Sequence, residues 1–323
     1  MTSITTRGGG ASGGVRAGSG ASTRAGGSPG RRNGRRRGRW TGWAFVAPFM
    51  IVLFAMLVVP IAYAVWLSLF QDQLIGGNHF VGLANYVTLF SDGKFWGAFL
   101  RVLVFLVVQV PIMLILALIA ALTIDSARLY AGSFFRIAMF LPYAVPGVVA
   151  ALIWGFIYGN QFGLTGAANQ ALGINIFEPF SAHWVLASIG NVVTWEFLGY
   201  NMLIFYSALR VVPTELYEAA EIDGAGPLRV VTSIKIPALR GAIVIATIFS
   251  IIGSFQLFNE PNLLKTLAPN VINSDFTPNM YAYGLSFSGQ QYNYSATVAI
   301  VMGIITAVIA YVVQVRGNRT EMR

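Results

Sequence analysis

The sequence predicts an all-α integral membrane protein of six transmembrane helices with both termini in the cytoplasm. Hydrophobic residues make up 56% of the 323-residue chain and charged residues only 10%, where soluble domains carry roughly 25% charge. The mean hydropathy is +0.66. Six long apolar stretches stand out, at about 43–70, 99–124, 136–158, 184–210, 239–261 and 292–315. Each supplies the roughly 20 helical residues that cross a ~30 Å hydrocarbon layer. The basic residues then orient the bundle. The N-terminal tail, 125–136, 210–240 and the C-terminus together hold eighteen Lys and Arg, and the opposite side holds three, Lys94, Arg101 and Lys265. That asymmetry places the first group in the cytoplasm.

Residues 1–39 are Gly, Ser, Ala, Thr and Arg with little to bury, and are expected to be a disordered basic cytoplasmic tail. The nine Arg of this tail account for the whole net charge of +9, since the remaining Lys and Arg equal the Asp and Glu in number. A charge confined to the flank of a membrane span fits attraction to anionic lipid and retention inside, with no nucleic-acid partner. Trp40–Gln71 is uncharged throughout, too long for the 7–15-residue core of a cleaved signal; it is an uncleaved first span. The membrane domain is expected over 40–316, and 317–323 as a C-terminal cytoplasmic tail.

The outer connections 71–98, 159–183 and 262–291 are short and rich in turn residues, such as Gly76-Gly77-Asn78. None has room for a globular domain, so high-affinity capture outside requires a separate protein. Pro48, Pro60, Pro111, Pro142 and Pro146 interrupt spans, each removing a backbone donor and tending to kink a helix. Leu141-Pro-Tyr-Ala-Val-Pro-Gly147 is the densest case, readable as shape alone or as a hinge.

Between the fourth and fifth spans lies a polar segment, 213–237, that holds Glu215, Glu218, Glu221, Asp223, Arg229 and Lys235. Pro213-Thr214 opens a helix with acids near its positive end. Leu216, Ala219 and Ala220 share a face at i, i+3 and i+4. Asp223-Gly224 breaks the helix, with Gly224 suited to a left-handed turn. Pro227 starts a second helix, along which Leu228, Val231 and Ile234 recur every three residues. Surface helices on anionic lipid carry basic polar faces; four acids here point instead to docking on a protein.

The chain contains no cysteine, and His79 and His183 have no ligand-spaced companions, so thiolate and His-cluster metal sites are not expected. No catalytic constellation stands out. Within the spans, ionisable groups cost about 2.5–3.5 kcal/mol at the helix centre on insertion scales, which marks Glu196 in the fourth and Glu260 near the outer end of the fifth. With Trp195, Tyr200, Asn201, Gln256 and Asn259 they form the carboxylate, amide and aromatic set that sugars favour. The same groups could equally brace neighbouring helices.

Glu218-Ala-Ala, then three residues, Gly224, nine residues, Ile234, one residue and Ile236-Pro237 resembles the EAA motif of permease subunits in binding-protein-dependent ABC importers. Ile236 stands where Leu is usual. Phe80-Val-Gly-Leu-Ala-Asn-Tyr86 and Leu141-Pro-Tyr-Ala-Val-Pro146 are similar to the carbohydrate-uptake branch and to the first of its two permeases. The resemblance covers roughly 43–316.

This resemblance implies a type I ABC importer permease fold in a bacterial plasma membrane. It implies that Glu218, Ala219, Ala220, Asp223, Gly224, Ile234 and Pro237 couple the chain to a cytoplasmic ATPase. The expected partners are a second six-helix permease, two ATPase subunits, an extracytoplasmic solute-binding protein and the lipid bilayer. ATP and Mg would be bound by the ATPase, since this chain lacks a Gly-Lys-Ser/Thr phosphate loop and is expected to be a transport subunit, not an enzyme. Glycerol-phosphate or a polyamine is an alternative cargo, and a secondary transporter an alternative mechanism. Paired ion-coupling acids and discontinuous helices would mark the latter.

Overall fold

The computed structural model describes residues 34–73, 77–126, 130–160, 163–173 and 178–321. Residues 1–33 of the basic tail, Arg128 and the last two residues lie outside them. The chain divides into two units, Met1–Val58 and Val59–Arg323. In the first, α1 (Gly34–Leu53) continues into a π-helical turn at Phe54–Val58. The helix therefore begins inside the stretch expected to be structureless, because Arg is a good helix former and the span propagates through it. Large apolar side chains from Trp43 to Val58 are exposed, Phe45 by 83%, as befits a surface solvated by lipid.

The second unit begins with α2 (Val59–Ser68). An antiparallel hairpin of β1 (Phe70–Gln73) and β2 (Gly77–Phe80) follows, pairing Phe70 with Phe80 and Gln71 with His79. The all-helical expectation missed this hairpin. Asn85 in α3 (Ala84–Phe90) holds it to the span, donating to the carbonyls of Ser68 and Phe70, both at 2.8 Å. Asp92 caps α4 (Gly93–Asp125), accepting from the Lys94 amide at 2.9 Å. At 33 residues α4 is about 50 Å long.

The proline-rich stretch does break a span. α5 (Gly132–Phe140) runs into a 3₁₀ turn at Leu141–Ala144, and α6 (Gly147–Ile157) leaves it bent by 97°. After α7 (Leu164–Leu172) comes α8 (Val185–Leu209), then the polar segment with α9 (Thr214–Ile222), α10 (Pro227–Val230) and α11 (Ile236–Ala238). The remaining helices are α12 (Arg240–Phe255), α13 (Asn259–Leu264), α14 (Pro278–Tyr283) and α15 (Tyr292–Glu321). α15 runs through most of the expected C-terminal tail.

By length and composition, four helical stretches can cross a membrane: Gly42–Ser68, Gly93–Asp125, Arg240–Leu264 and Tyr292–Gly317. The bent pair of α5 and α6 makes a fifth. α8 has the length, at 25 residues, but carries Asn191, Glu196 and Asn201 and so is less apolar than these. Each of the six expected stretches is largely helical, with breaks at 141–146 and 256–258.

α4 and α8 share the most extensive helix contact, with α12 against both α4 and α15. Lipid tails are as apolar as leucine, so these contacts depend on close packing more than on transfer from water. The sequence supplies small residues for that purpose. Ala117 and Ala121, one turn apart on α4, are fully buried against Met202 and Phe205 of α8 and Ala246 of α12. At Gly199 of α8 an added Cβ would overlap the Met139 carbonyl of α5. Near the start of α4, Arg101 donates to the Phe276 carbonyl at 2.6 Å and stands 4.7 Å over its ring. That contact ties the loop before α14 to α4.

Candidate functional site

Where α4, α8 and the α12–α13 junction diverge, they enclose a cavity of about 370 Å³. α4 contributes Phe105, Gln109 and Met113, one face of the helix at intervals of four. Phe197, Tyr200 and Asn201 come from α8, Ser250 and Ser254 from α12, and Gln256, Asn259 and Glu260 from the junction. Tyr143, from the turn that breaks the third span, closes one side. Its ring stacks on Tyr200 with centroids 4.8 Å apart.

The cavity is rich in hydrogen-bond acceptors. Asn201, 2% exposed, donates its amide hydrogens to the Phe197 carbonyl at 3.0 Å and toward the Met113 sulfur. A backbone carbonyl can only accept, so the amide orientation is settled and Oδ1 is the atom left without a partner. Gln109 Nε2 donates to Thr194 Oγ1 at 3.2 Å and toward the Met113 sulfur at 3.5 Å, and Oε1 has no partner. Ser254 spends its proton on the Ser250 carbonyl at 2.8 Å, leaving lone pairs. Among the described residues no Lys, Arg or His lines the cavity. A buried acceptor without a donor costs roughly 1–3 kcal/mol, and both oxygens belong to residues that line the cavity.

Tyr200, Asn201, Gln256, Asn259 and Glu260 thus come together as expected. Two expected residues do not. Trp195 is off the wall, with its ring 5.9 Å from Trp154 in an edge-on contact, because it projects from a different face of α8 than Tyr200 and Asn201. Glu196 is also off the wall; it is 6% exposed and its Oε2 has no partner. Glu196 and Glu260 both press on Gly147, with oxygens 3.4 and 3.6 Å from where a Cβ would sit. Gly147 is the first residue of α6, so the positive end of that helix faces the two carboxylates and offsets part of their burial. Sequence reasoning missed Gln109, Met113, Tyr143 and Phe197. Gln109 is marked as an amide inside an apolar run, but only the packing of α4 on α8 shows that it lines the cavity, and nothing local marks Met113.

The segment between α8 and α12 is helix–turn–helix, as predicted. α9 ends in a Schellman motif: the Gly224 amide donates to the Glu221 carbonyl at 3.0 Å, and that of Ala225 to Ala220 at 2.9 Å. Gly224 is left-handed at φ +71°. The regular spacing of Leu228, Val231 and Ile234 is not that of one uniform helix, because Val231–Lys235 is a π-helical turn. Pro237 has no amide for the Ser233 carbonyl, and the turn widens where that bond is missing. Glu218, Ala219, Asp223 and Gly224 are exposed, and so are the apolar Ile222 at 87% and Leu228 at 77%. Ile234 and Pro237 are half-buried.

Between the hairpin, α3 and the start of α15 a wider, polar hollow of about 810 Å³ is lined by Asp72, Asn85, Asp92, Asn293 and Tyr294, among others. Asp92 Oδ2 accepts from Tyr281 at 2.6 Å and Tyr294 at 2.8 Å. Burial alone would push the Asp92 carboxyl up, but these hydrogen bonds, with the Lys94 and Phe95 amides, outweigh it and hold the group below its usual range. Burial, and then the bond to Asp92, pushes the Tyr281 phenol well above its own. No group of three His, Cys, Asp or Glu able to hold a metal ion occurs among the described residues.

Residues 80–317 match the family described as the inner membrane component of binding-protein-dependent transport systems. The chain is 34% identical over 278 residues to the lactose transport system permease protein LacF of Rhizobium radiobacter, covering 84% of this chain and 91% of that one. It is 31% identical over 252 residues to the diacetylchitobiose uptake system permease protein NgcF of Streptomyces coelicolor, covering 73% and 70%. In fold it is similar to a chain of a bacterial ABC transporter involved in the import of the acidic polysaccharide alginate. The TM-score there is 0.77 at 18% identity, covering 88% of this chain and 97% of that one.

Proposed function

The chain belongs to the family of binding-protein-dependent transport system inner membrane components, and from that premise we propose that it carries a sugar or oligosaccharide across the bacterial plasma membrane. It is a multi-pass membrane subunit, and in our reading its N-terminus is cytoplasmic. The observation that carries the cargo class is the cavity between α4, α8 and α12, with unpartnered acceptors at Gln109 and Asn201 and stacked rings at Tyr143 and Tyr200. A polyhydroxylated solute supplies the missing donors and apolar ring faces. A phosphate ester brings acceptors and negative charge to a wall that already holds Glu260, so glycerol-phosphate fits poorly.

Transport is driven, on this reading, by a separate ATPase that grips α9. Glu218, Ala219, Ala220, Asp223, Gly224, Ile234 and Pro237 form the coupling surface. The relatives named for lactose and diacetylchitobiose support the cargo class. The alginate importer captured with its pentasaccharide-bound periplasmic protein supports delivery by an external binding protein. A second permease completes the pathway, and ATP and Mg are held by the ATPase.

Two substitutions test the coupling. Glu218→Lys and Gly224→Pro are expected to abolish uptake and detach the ATPase while leaving the permease in the membrane. Normal ATPase co-purification with both would overturn the assignment. For the path, Glu196→Gln with Asn201→Ala is expected to change uptake kinetics, and unchanged kinetics would remove these residues from it.

A further inference from the structure

Asp125 ends α4, where the negative pole of the helix disfavours an acid. Its compensation comes from the cytoplasmic segment. Lys235 Nζ meets Asp125 Oδ2 at 2.5 Å, with the two side chains only 14% and 10% exposed. The same ammonium stands 5.5 Å from the ring centre of Tyr217 in α9. The Tyr217 hydroxyl is buried without a hydrogen-bond partner, so its ring is held there by packing and by the cation. One cation thus joins α9, the π-helical turn before α11, and the end of α4.

The covalent chain runs from the segment into α8 and α12 only. α4 has no such link, yet it supplies Phe105, Gln109 and Met113 to the cavity wall. We propose that Asp125, Lys235 and Tyr217 form a joint that makes the cytoplasmic segment and α4 move as one body, delivering the ATPase stroke directly to the cavity wall. They are positioning residues, acting on cargo through α4. This inference rests on the reading of 213–237 as the coupling segment.

The sequence contains no native cysteine, which permits a clean test in the complete importer in lipid vesicles. Met113→Cys reports movement of the wall through its labelling by a membrane-impermeant maleimide, with and without MgATP and vanadate. With the joint intact, nucleotide changes the labelling rate. Lys235→Met, and Asp125→Asn with Lys235→Met, which leaves no unpaired charge, are expected to retain the ATPase and cut that change at least about fivefold. The exchange of Asp125→Lys with Lys235→Asp is expected to restore it, since the lysine then sits at the favoured helix end.

An undiminished nucleotide response in both neutralised variants overturns the joint, as does an exchange that assembles normally without restoring the response. Loss of the ATPase from the doubly neutralised variant also counts against it, because the role would then be in docking. Glu218→Lys run alongside separates the two readings. If that variant keeps its ATPase, the coupling assignment fails; if it loses the ATPase while the neutralised joint responds fully, only the joint fails.

Discussion

Tyr143 and Tyr200 lie ring on ring, centroids 4.8 Å apart and planes 20° from parallel, one from the turn that breaks the third span and the other from the middle of α8. The stack fixes the broken span against the cavity wall. Aromatic pairs contribute about 0.5–1.5 kcal/mol beyond area burial. Tyr143→Leu and Tyr200→Leu are each expected to lower the thermal midpoint of the purified protein, and the double variant by less than both together. A double-mutant cycle measures the difference; strict additivity would mean that the rings do not interact.

Asn201→Leu and Gln109→Leu each remove a buried acceptor with no partner inside the protein. Asn201→Leu is expected to fold at least as stably as the parent, since an uncompensated polar group disappears, and Gln109→Leu to be near neutral, since it also takes the Thr194 hydroxyl's partner. Uptake of the cognate sugar is expected to fall about tenfold per lost bond, at ~1.4 kcal/mol. A variant that is more stable and still transports at the parental rate would show that these oxygens face no cargo.

Gly224 has open space around its missing Cβ but a φ of +71°, so a side chain there costs backbone strain alone, about 1–2 kcal/mol for an L-residue. Gly224→Val is expected to weaken ATPase retention, and Gly224→Asn to keep most of it, because Asn tolerates the left-handed region. Titrating solubilised permease with the ATPase reads the order.

Asp92 gives a pH dependence with a definite sign. Its folded carboxyl is held low, so its stabilising effect is complete above the usual carboxylate range and fades as pH falls through the lowered value. Asp92→Asn is expected to lower the thermal midpoint at pH 7, and the gap to the parent is expected to close below about pH 4. A gap of constant size from pH 7 to 3 would assign the effect to shape, not charge.

Gly199→Val places atoms where the Met139 carbonyl already lies. Overpacking of this kind costs typically 1–3 kcal/mol, or more against rigid backbone. The yield of membrane-inserted protein is expected to fall sharply, and Gly199→Ala to fall between.

Much of this was readable in the residues. The apolar runs mark the long helices, and Pro213, Gly224 and Pro227 mark the start, turn and restart of the helices between α8 and α12 through local backbone preferences that packing does not override. The cavity was legible only in part. Asn201 and Glu260 are conspicuous because polar groups inside spans are expensive. Gln109 is equally buried, but its meaning depends on which face of α4 meets α8, a tertiary fact. Trp195 misled because it projects from a different face of α8 than Phe197, Tyr200 and Asn201, and nearness in sequence does not place residues on one face of a helix. The hairpin at 70–80 has few residues and a polar register, too little alternation to distinguish it from a turn.

Ile222 and Leu228 stand bare at the tip of the segment between α8 and α12. A copy with no partner over that point would leave both apolar side chains in water, which disfavours it by the transfer free energy of the exposed area.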